Sequence, residues 1–378
     1  MATTSPTTEA RNNWSGPFDP YEQWIQRQGA PIHSGYYIDD GKTVDLGWWA
    51  ARECNAAFLQ LEGQQGVTGV YITEIAPGKT LPPFRMGIDE AVYVLEGRGI
   101  ATLQDGEGRT QKSFEWQKHS MFLLPGGFSC QFSNVQGTQP ARLLHHNYLP
   151  LALTCAVPEP GFFLDNPRTN RDRLMAAPGG EFYSEARAET ITRMGAPRNA
   201  WAGNFFPDMR AWDRLDPLRY RGAGGQVVWV LFPGSPITAH MSVFPPLTYK
   251  KAHRHGPGYV IVIPAGEGYS IMWPDGGEKV VIPWREGTIF VPPNRWFHQH
   301  FNVSSGADRY LALHPPRPLM MAAETIEDLS RDQIEYVKED PWVRRKFEEE
   351  LAARGLQSRM EAAAYRNADH QWQEPTLT

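Results

Sequence analysis

Two blocks of short apolar runs, punctuated by Gly and Pro, dominate the chain. The earlier block has runs at 70–75, 91–95 and 121–124, closed in turn by Pro-Gly, Glu-Gly and Pro-Gly-Gly. The later one has runs at 227–232, 238–244, 259–263, 269–273, 288–291, 298–303 and 310–313, separated by Pro-Gly, Gly-Glu-Gly and Asp-Gly-Gly. Short runs bounded by such turn formers read as strands, and many at close spacing predict a sandwich or barrel. The pattern changes from residue 324, where helix formers take over. Val343, Phe347 and Leu351 there recur every four residues among Glu and Arg, the stripe of a helix docked on a barrel. Ser330 with Gln333 predicts a capping box, Pro341 a first helical position and Gly355 a stop.

The remaining segments carry weaker signals. Residues 1 to about 12 are polar and Thr-rich and predict a flexible tail. Trp24, Tyr36, Tyr37, Trp48 and Trp49 make 21–49 too apolar for a linker, so this stretch is expected to cover a surface of the same chain or of a second subunit. Between the blocks, 158–222 is rich in Pro, Asn, Arg and Asp, with a short helix predicted over 181–192. Trp201, Phe205, Phe206 and Trp212 argue that this connector is folded against a domain.

Composition narrows the picture. Gly (35) and Pro (32) in 378 residues exceed their usual combined share of roughly 12%, which favours a mostly β chain of two domains or one large one. A net charge of -5 gives no electrostatic reason to expect nucleic acid or an anionic membrane as partner. The acid-balanced Arg168 to Arg173 stretch reads as solvated loop. Three widely spaced cysteines, Cys54, Cys130 and Cys155, argue for a reducing compartment. With no signal-peptide pattern and no apolar run of membrane-spanning length, a cytoplasmic protein is expected.

The chemistry concentrates in the later block. His253 and His255 alternate in Lys251-Ala-His-Arg-His-Gly-Pro-Gly-Tyr259, and His298 and His300 alternate in Trp296-Phe-His-Gln-His-Phe-Asn302. On strands each pair projects from one face, so three or four imidazoles are expected to meet. Imidazole is the usual ligand of Fe, Zn, Cu and Ni. Four histidines in two such pairs, each beside a Gly/Pro turn, outweigh the alternative that they merely pack or hydrogen-bond.

This pattern resembles the cupin superfamily. Its first motif, G-x5-H-x-H-x3-E-x6-G, is matched by Leu247, His253, His255, Tyr259 and Gly266, with the opening Gly and the Glu replaced. Its second, G-x5-P-x-G-x2-H-x3-N, is matched by Gly287, Pro293, Arg295, His298 and Asn302, with Arg295 for Gly. The same frame lies about 169 residues earlier on Gly78, Phe84, Met86, Glu90 and Gly97, then on His119, Pro125, Gly127, Cys130 and Asn134. The resemblance implies an all-β bicupin, two double-stranded β-helix (jelly-roll) barrels with peripheral helices. The expected division is a tail and cover segment (1–66), a first cupin (67–157), a connector (158–222), a second cupin (223–318) and a helical extension (319–378).

By the motif, His253, His255 and His298 are the metal ligands. In the first barrel Phe84, Met86 and Cys130 replace them and leave Glu90 alone, so no metal is expected there; the adjacent His145 and His146 face opposite ways and cannot share one. Cys130 is expected to be simply buried. His300 is expected to be a donor behind the ligands or a proton carrier. Tyr259 either orients substrate or fills the space of the missing Glu. Arg295 either clamps a substrate carboxylate or caps its own loop. His240, Trp273 and Trp296 are candidates for the pocket wall.

The all-histidine set is similar to that of the gentisate and salicylate ring-cleaving dioxygenases, bicupins that use Fe(II) and O2 on small aromatic acids. The chain also resembles uncharacterised bicupins that carry the label ethanolamine ammonia-lyase-activating protein. The oxalate decarboxylase type depends on the Glu that Tyr259 replaces. The resemblance thus implies an Fe(II) oxygenase of a small aromatic or metal-chelating acid, with Mn, Ni, Cu or Zn as other metals, acting as a homodimer or higher homo-oligomer. A lyase or isomerase using the ion as Lewis acid and a non-catalytic binding protein are the alternatives.

Overall fold

The computed structural model describes residues 20–105, 107–155, 182–193, 195–211, 215–323 and 325–372. The tail at 1–12, Arg168 to Arg173 and Trp212 lie outside them. Two antiparallel barrels of the cupin type follow one another, each made of a larger and a smaller sheet. In the first, Ala141–Asn147 lies between Gly69–Ile75 and Glu90–Glu96; in the second, Asp308–Leu313 lies between Thr238–Phe244 and Val260–Ala265. The smaller sheets repeat as well. Ser129–Asn134 sits between Phe84–Arg85 and Arg98–Gln104, and Phe297–Asn302 between Ala252–His253 and Glu267–Trp273.

One glycine pair shows how closely the two halves agree. A Cβ on Gly99 would meet the Ser133 carbonyl at 2.0 Å and the Trp116 ring at 2.3 Å; one on Gly268 would meet the Phe301 carbonyl at 2.0 Å and the Trp284 ring at 2.5 Å. Each barrel therefore packs a tryptophan over a backbone that only glycine lets approach.

The larger sheets of the two barrels share one apolar core, which includes Ile72, Val94 and Leu143 from the first and Val228, Met241 and Leu311 from the second. Covered on both sides, the strand Gly69–Ile75 is buried almost throughout, whereas Arg98–Gln104 in the smaller sheet alternates. Each fully buried aliphatic side chain in this seam contributes roughly 2 kcal/mol.

The barrel edges are closed by exchange. Phe205–Phe206, from the connector, pairs with Met121–Leu124 at the edge of the first barrel, and Tyr37–Ile38, from the N-terminal segment, pairs with Ile289–Phe290 at the matching edge of the second. Both sheet edges are thereby hydrogen-bonded rather than left as open templates. The aromatic cover thus acts within the chain. Tyr21, Trp24 and Ile25 of the helix Pro20–Arg27 pack with Trp49, Phe58 and Tyr71 of the first barrel. That barrel's larger sheet also takes in Gly47–Trp49 and Cys54–Leu61, ahead of residue 67 where the apolar runs begin to recur.

Two local expectations are corrected. In place of the helix predicted over 181–192, Arg187–Arg193 forms a hairpin with Ala196–Ala202, and that second strand pairs with Gln226–Leu231. Thr190, Ile191 and Thr192 suit a strand, and the tertiary partner overrides the helical preference of Ala and Glu. The capping box is made by Thr325 and Asp328 at the start of the helix Ile326–Asp332, not by Ser330 with Gln333. Gln333 belongs instead to a short strand added beside Ala252–His253. The helix Pro341–Ala353 has Pro341 in its first turn behind the Asp340 cap and buries Val343, Phe347 and Leu351. Among the described residues, no helix is long and apolar enough to cross a membrane.

Candidate metal centre

Strand pairing brings the histidines together. His253 and His298 face each other directly across two antiparallel strands. Their ring centroids lie 4.3 Å apart, and His255 follows at 4.6 Å from His298. One ring nitrogen from each of His253, His255 and His298 falls within 4.8 Å of the other two, and all three residues are buried. His300 is outside this three-residue group, although its ring centroid lies 5.6 Å from His298 and 6.3 Å from His253, comparable to the 5.8 Å between His253 and His255. Its Nδ1 is hydrogen-bonded to Ser270 Oγ at 2.8 Å.

The hydrogen bonds suit a metal. His255 Nδ1 lies 2.8 Å from the Gly256 carbonyl and His298 Nδ1 lies 3.1 Å from the Trp296 carbonyl. A carbonyl only accepts, so each ring donates from Nδ1 and leaves Nε2 as a lone pair for an ion. His253 Nδ1 is buried and makes no hydrogen bond among the described residues. Burial pushes the His255 imidazole down to about 4 and holds His253 and His298 well below the ordinary histidine value. All three are thus neutral near pH 7, as ligands must be.

The cluster opens into a cavity of about 700 Å³, mouth included. His300, Tyr259 and His240 line it, and the Tyr259 ring centroid lies 3.9 Å from that of His255. His240 is not alone, because its Nδ1 lies 2.7 Å from His314 Nε2, whose ring reaches Thr238 Oγ1 through Nδ1 at 2.8 Å. Trp273 and Trp296 are corrections. Neither lines the cavity: Trp273 stacks on Phe297 in the outer cluster beneath the C-terminal helix, and Trp296 packs on Tyr36. Of the two roles open to Arg295, its contacts match the loop-holding one and not the clamp. Its guanidinium is spent on the Asp332 carboxylate, and its backbone N–H donates to the His255 carbonyl at 2.9 Å.

Other cations occupy the wall instead. Arg193, Arg221 and Lys250 line the cavity, with Trp229 and Tyr310 as its aromatic faces and no Asp or Glu among the lining residues. Arg193 arrives on the hairpin that replaced the predicted helix, and Arg221 on a turn after it. No periodicity marked either residue. Lys250 directly precedes the first histidine string; it is distinguished from Lys251, also buried, by the latter's ion pair with Glu335.

Behind the ligands stands the C-terminal extension. Asp332, 2% exposed, pairs with Arg254, between the two ligand histidines, and with Arg295. Burial alone raises its carboxyl, but the Arg295, Arg331 and Arg254 guanidiniums outweigh that and hold it far below the usual range. Arg295 itself has φ 62, and Leu247, the other residue at a motif glycine position, has φ 61; their first-barrel counterparts, Gly127 and Gly78, are also positive at φ 89 and 66. The motif glycines are thus a backbone requirement, which these two larger residues meet under strain of about 1 kcal/mol each.

In the first barrel the equivalent space is a smaller cavity of about 270 Å³, lined among others by Phe84, Phe132 and His145. Glu90 accepts from Tyr71 at 2.7 Å and Asn147 at 2.8 Å, and pairs with His145 Nδ1 at 2.8 Å. His145 points into the barrel, whereas His146 reaches the His314 carbonyl of the other half at 3.3 Å. Burial pushes the Cys130 thiol well above its ordinary value, which disfavours the thiolate form. No metal-binding group of three is found in this half among the described residues.

No protein-family model and no curated protein matches this chain. Among solved structures it is similar to oxalate decarboxylase, 12% identical with a TM-score of 0.45 over 75% of this chain and 78% of that one. The Bacillus subtilis oxalate decarboxylase studied for its Mn(II) centres gives the same values, and another structure of the Bacillus subtilis enzyme covers 75% and 77% at 12% identity and TM-score 0.45. The chain folds into two successive β-barrels, with a three-histidine group in the second.

Proposed function

We propose that this protein is a metal-dependent oxygenase holding Fe(II) on His253, His255 and His298, and that it acts on a small aromatic or metal-chelating acid together with O2. The observation that carries this reading is the convergence of three neutral imidazoles, with no carboxylate among them, at a cavity walled by Trp229, Tyr310 and cations. Three protein ligands leave coordination positions open, and the ion when bound supplies a Lewis-acidic, redox-active centre there.

The chain's own groups supply the rest. Flat aromatic walls orient a ring, and the cationic lining favours an anion. Enclosure limits water around the reacting atoms. His300, held by Ser270, and Tyr259, packed on His255, stand beside the cluster to orient substrate or carry a proton. His240 with His314 adds a hydrogen-bonded imidazole pair on the wall. That pair favours a second reading, a lyase or isomerase in which protons move without O2 and the ion is only a Lewis acid, with Mn, Ni, Cu or Zn in place of Fe.

Elemental analysis of the purified protein, followed by oxygen uptake across catechols, dihydroxybenzoates and hydroxy acids, tests the proposal. Iron near one per chain and uptake that His253→Ala abolishes support it. Undiminished turnover under argon selects the second reading, and a wild-type protein with no divalent metal rejects both.

A further inference from the structure

The cavity contains buried positive charge that the protein itself does not neutralise. Lys250 is 1% exposed. Its Nζ contacts Ser242 Oγ, lies 3.5 Å from Tyr310 Oη and sits 4.8 Å from the Tyr310 ring centroid. These are neutral partners. Arg221 donates to the Gln333 side-chain carbonyl at 3.1 Å, another neutral group. Neither cation has a carboxylate partner among the described residues, although Asp332, Glu335 and Glu339 are all close along the chain to Gln333 and are taken by Arg254 and Arg295, Lys251, and Tyr249 with Gln299.

A buried cation such as Lys250 loses hydration that a cation–π contact only partly returns, and Arg221 beside the same cavity is half-buried. Such a pair persists in a cavity wall where a ligand completes it. Its chemistry narrows the ligand. An ammonium beside a guanidinium matches a carboxylate, and the Trp229 and Tyr310 rings alongside suit a flat body.

We propose that Lys250 and Arg221 form a carboxylate-anchoring subsite, so that the substrate is a small planar acid held by its carboxylate at this pair while its other end faces the three imidazoles. The role expected of Arg295 thus falls to two residues from other parts of the chain. The subsite deepens the proposed function, yet carboxylate binding itself does not require the ion.

Calorimetric titration with benzoate and with benzamide, its neutral isostere, tests this on metal-loaded and chelator-treated full-length protein. Benzoate is expected to bind both forms more tightly than benzamide does. Lys250→Met should weaken benzoate about tenfold or more and leave benzamide unchanged, with Lys250→Arg restoring part of the loss. Arg221→Gln should act in the same direction. Thermal unfolding provides the folding control, because Lys250→Met removes an uncompensated charge and should melt no lower than wild type. Equal affinity for benzoate and benzamide, absence of benzoate binding to either form, or unchanged benzoate affinity in a folded Lys250→Met protein overturns the subsite. Metal bound without charge-selective binding sinks the subsite alone. Charge-selective binding in a protein that never takes up metal sinks the oxygenase reading alone.

Discussion

The carboxylate of Asp332 receives the Nε–H of Arg254 at 3.0 Å, joining the C-terminal extension to the residue between His253 and His255. The same carboxylate holds Arg295, whose backbone N–H supports the His255 carbonyl. Asp332→Asn is therefore expected to leave these guanidiniums underpaired and to loosen the ligand loop. Removing one partner of a buried pair costs on the order of 3 kcal/mol, and loss of support behind ligands lowers metal affinity about 10–100-fold. Denaturant unfolding and competition with a chelator measure the two effects. The stabilisation that Asp332 brings is present above the ordinary aspartate range and is lost only as pH falls towards its strongly depressed value, so it persists through mild acid.

The four histidines should separate cleanly in metal content. His253→Ala, His255→Ala and His298→Ala are each expected to lose the ion, whereas His300→Ala is expected to retain near-stoichiometric metal while losing turnover. Elemental analysis of the four variants beside circular dichroism checks this. Equal loss in all four would place His300 among the ligands.

Burial, then the nearby Arg221 charge, pushes the Lys250 ammonium down to about 7. In the ligand-free protein this depressed value makes stability lowest where Lys250 is charged in both states, below about 7, and stability rises as pH climbs from there towards the ordinary lysine value. Lys250→Met should abolish this component and stabilise the ligand-free protein by on the order of 3 kcal/mol near pH 7. Melting temperature against pH for the two proteins is the measurement.

Asp308 gives the opposite slope. Its Oδ2 is buried without a hydrogen bond among the described residues, and burial pushes the carboxyl up to about 8. Its contribution is complete below the ordinary aspartate value and is lost as pH rises through about 8. Asp308→Asn, which stays neutral, should remove that loss and be the more stable protein in mild alkali. A wild-type and variant pair that lose stability in parallel between pH 4 and 9 would contradict the assignment.

Glu90 in the first barrel tests the division of labour. Burial opposes its charge, but His145, Tyr71 and Asn147 outweigh it and hold the carboxyl below the usual glutamate value. Glu90→Gln should destabilise the protein by about 1–3 kcal/mol above the glutamate range and leave metal content unchanged. A fall in bound metal would show that the first barrel takes part in binding it.

The duplication, the strands and the three ligands were legible in the chain because each rests on short-range spacing. An alternating strand puts His298 and His300 on one face whatever surrounds it, and motif glycines or their substitutes mark turns that need a left-handed backbone. The tertiary structure added how the histidines meet: His253 pairs with His298 across two strands, while Ser270 holds His300. The cavity wall was not legible in the sequence. Arg193, Arg221 and Lys250 come from a hairpin, a turn and the loop before Ala252–His253, and Trp273 and Trp296 turn away because the C-terminal helix and the N-terminal segment offer them apolar surface. Arg295 shows the limit most plainly: its place two turn positions before a ligand follows from the sequence, but the direction of its guanidinium was set by Asp332, a carboxylate 37 residues away in the chain, through an attraction that depends on distance in space alone.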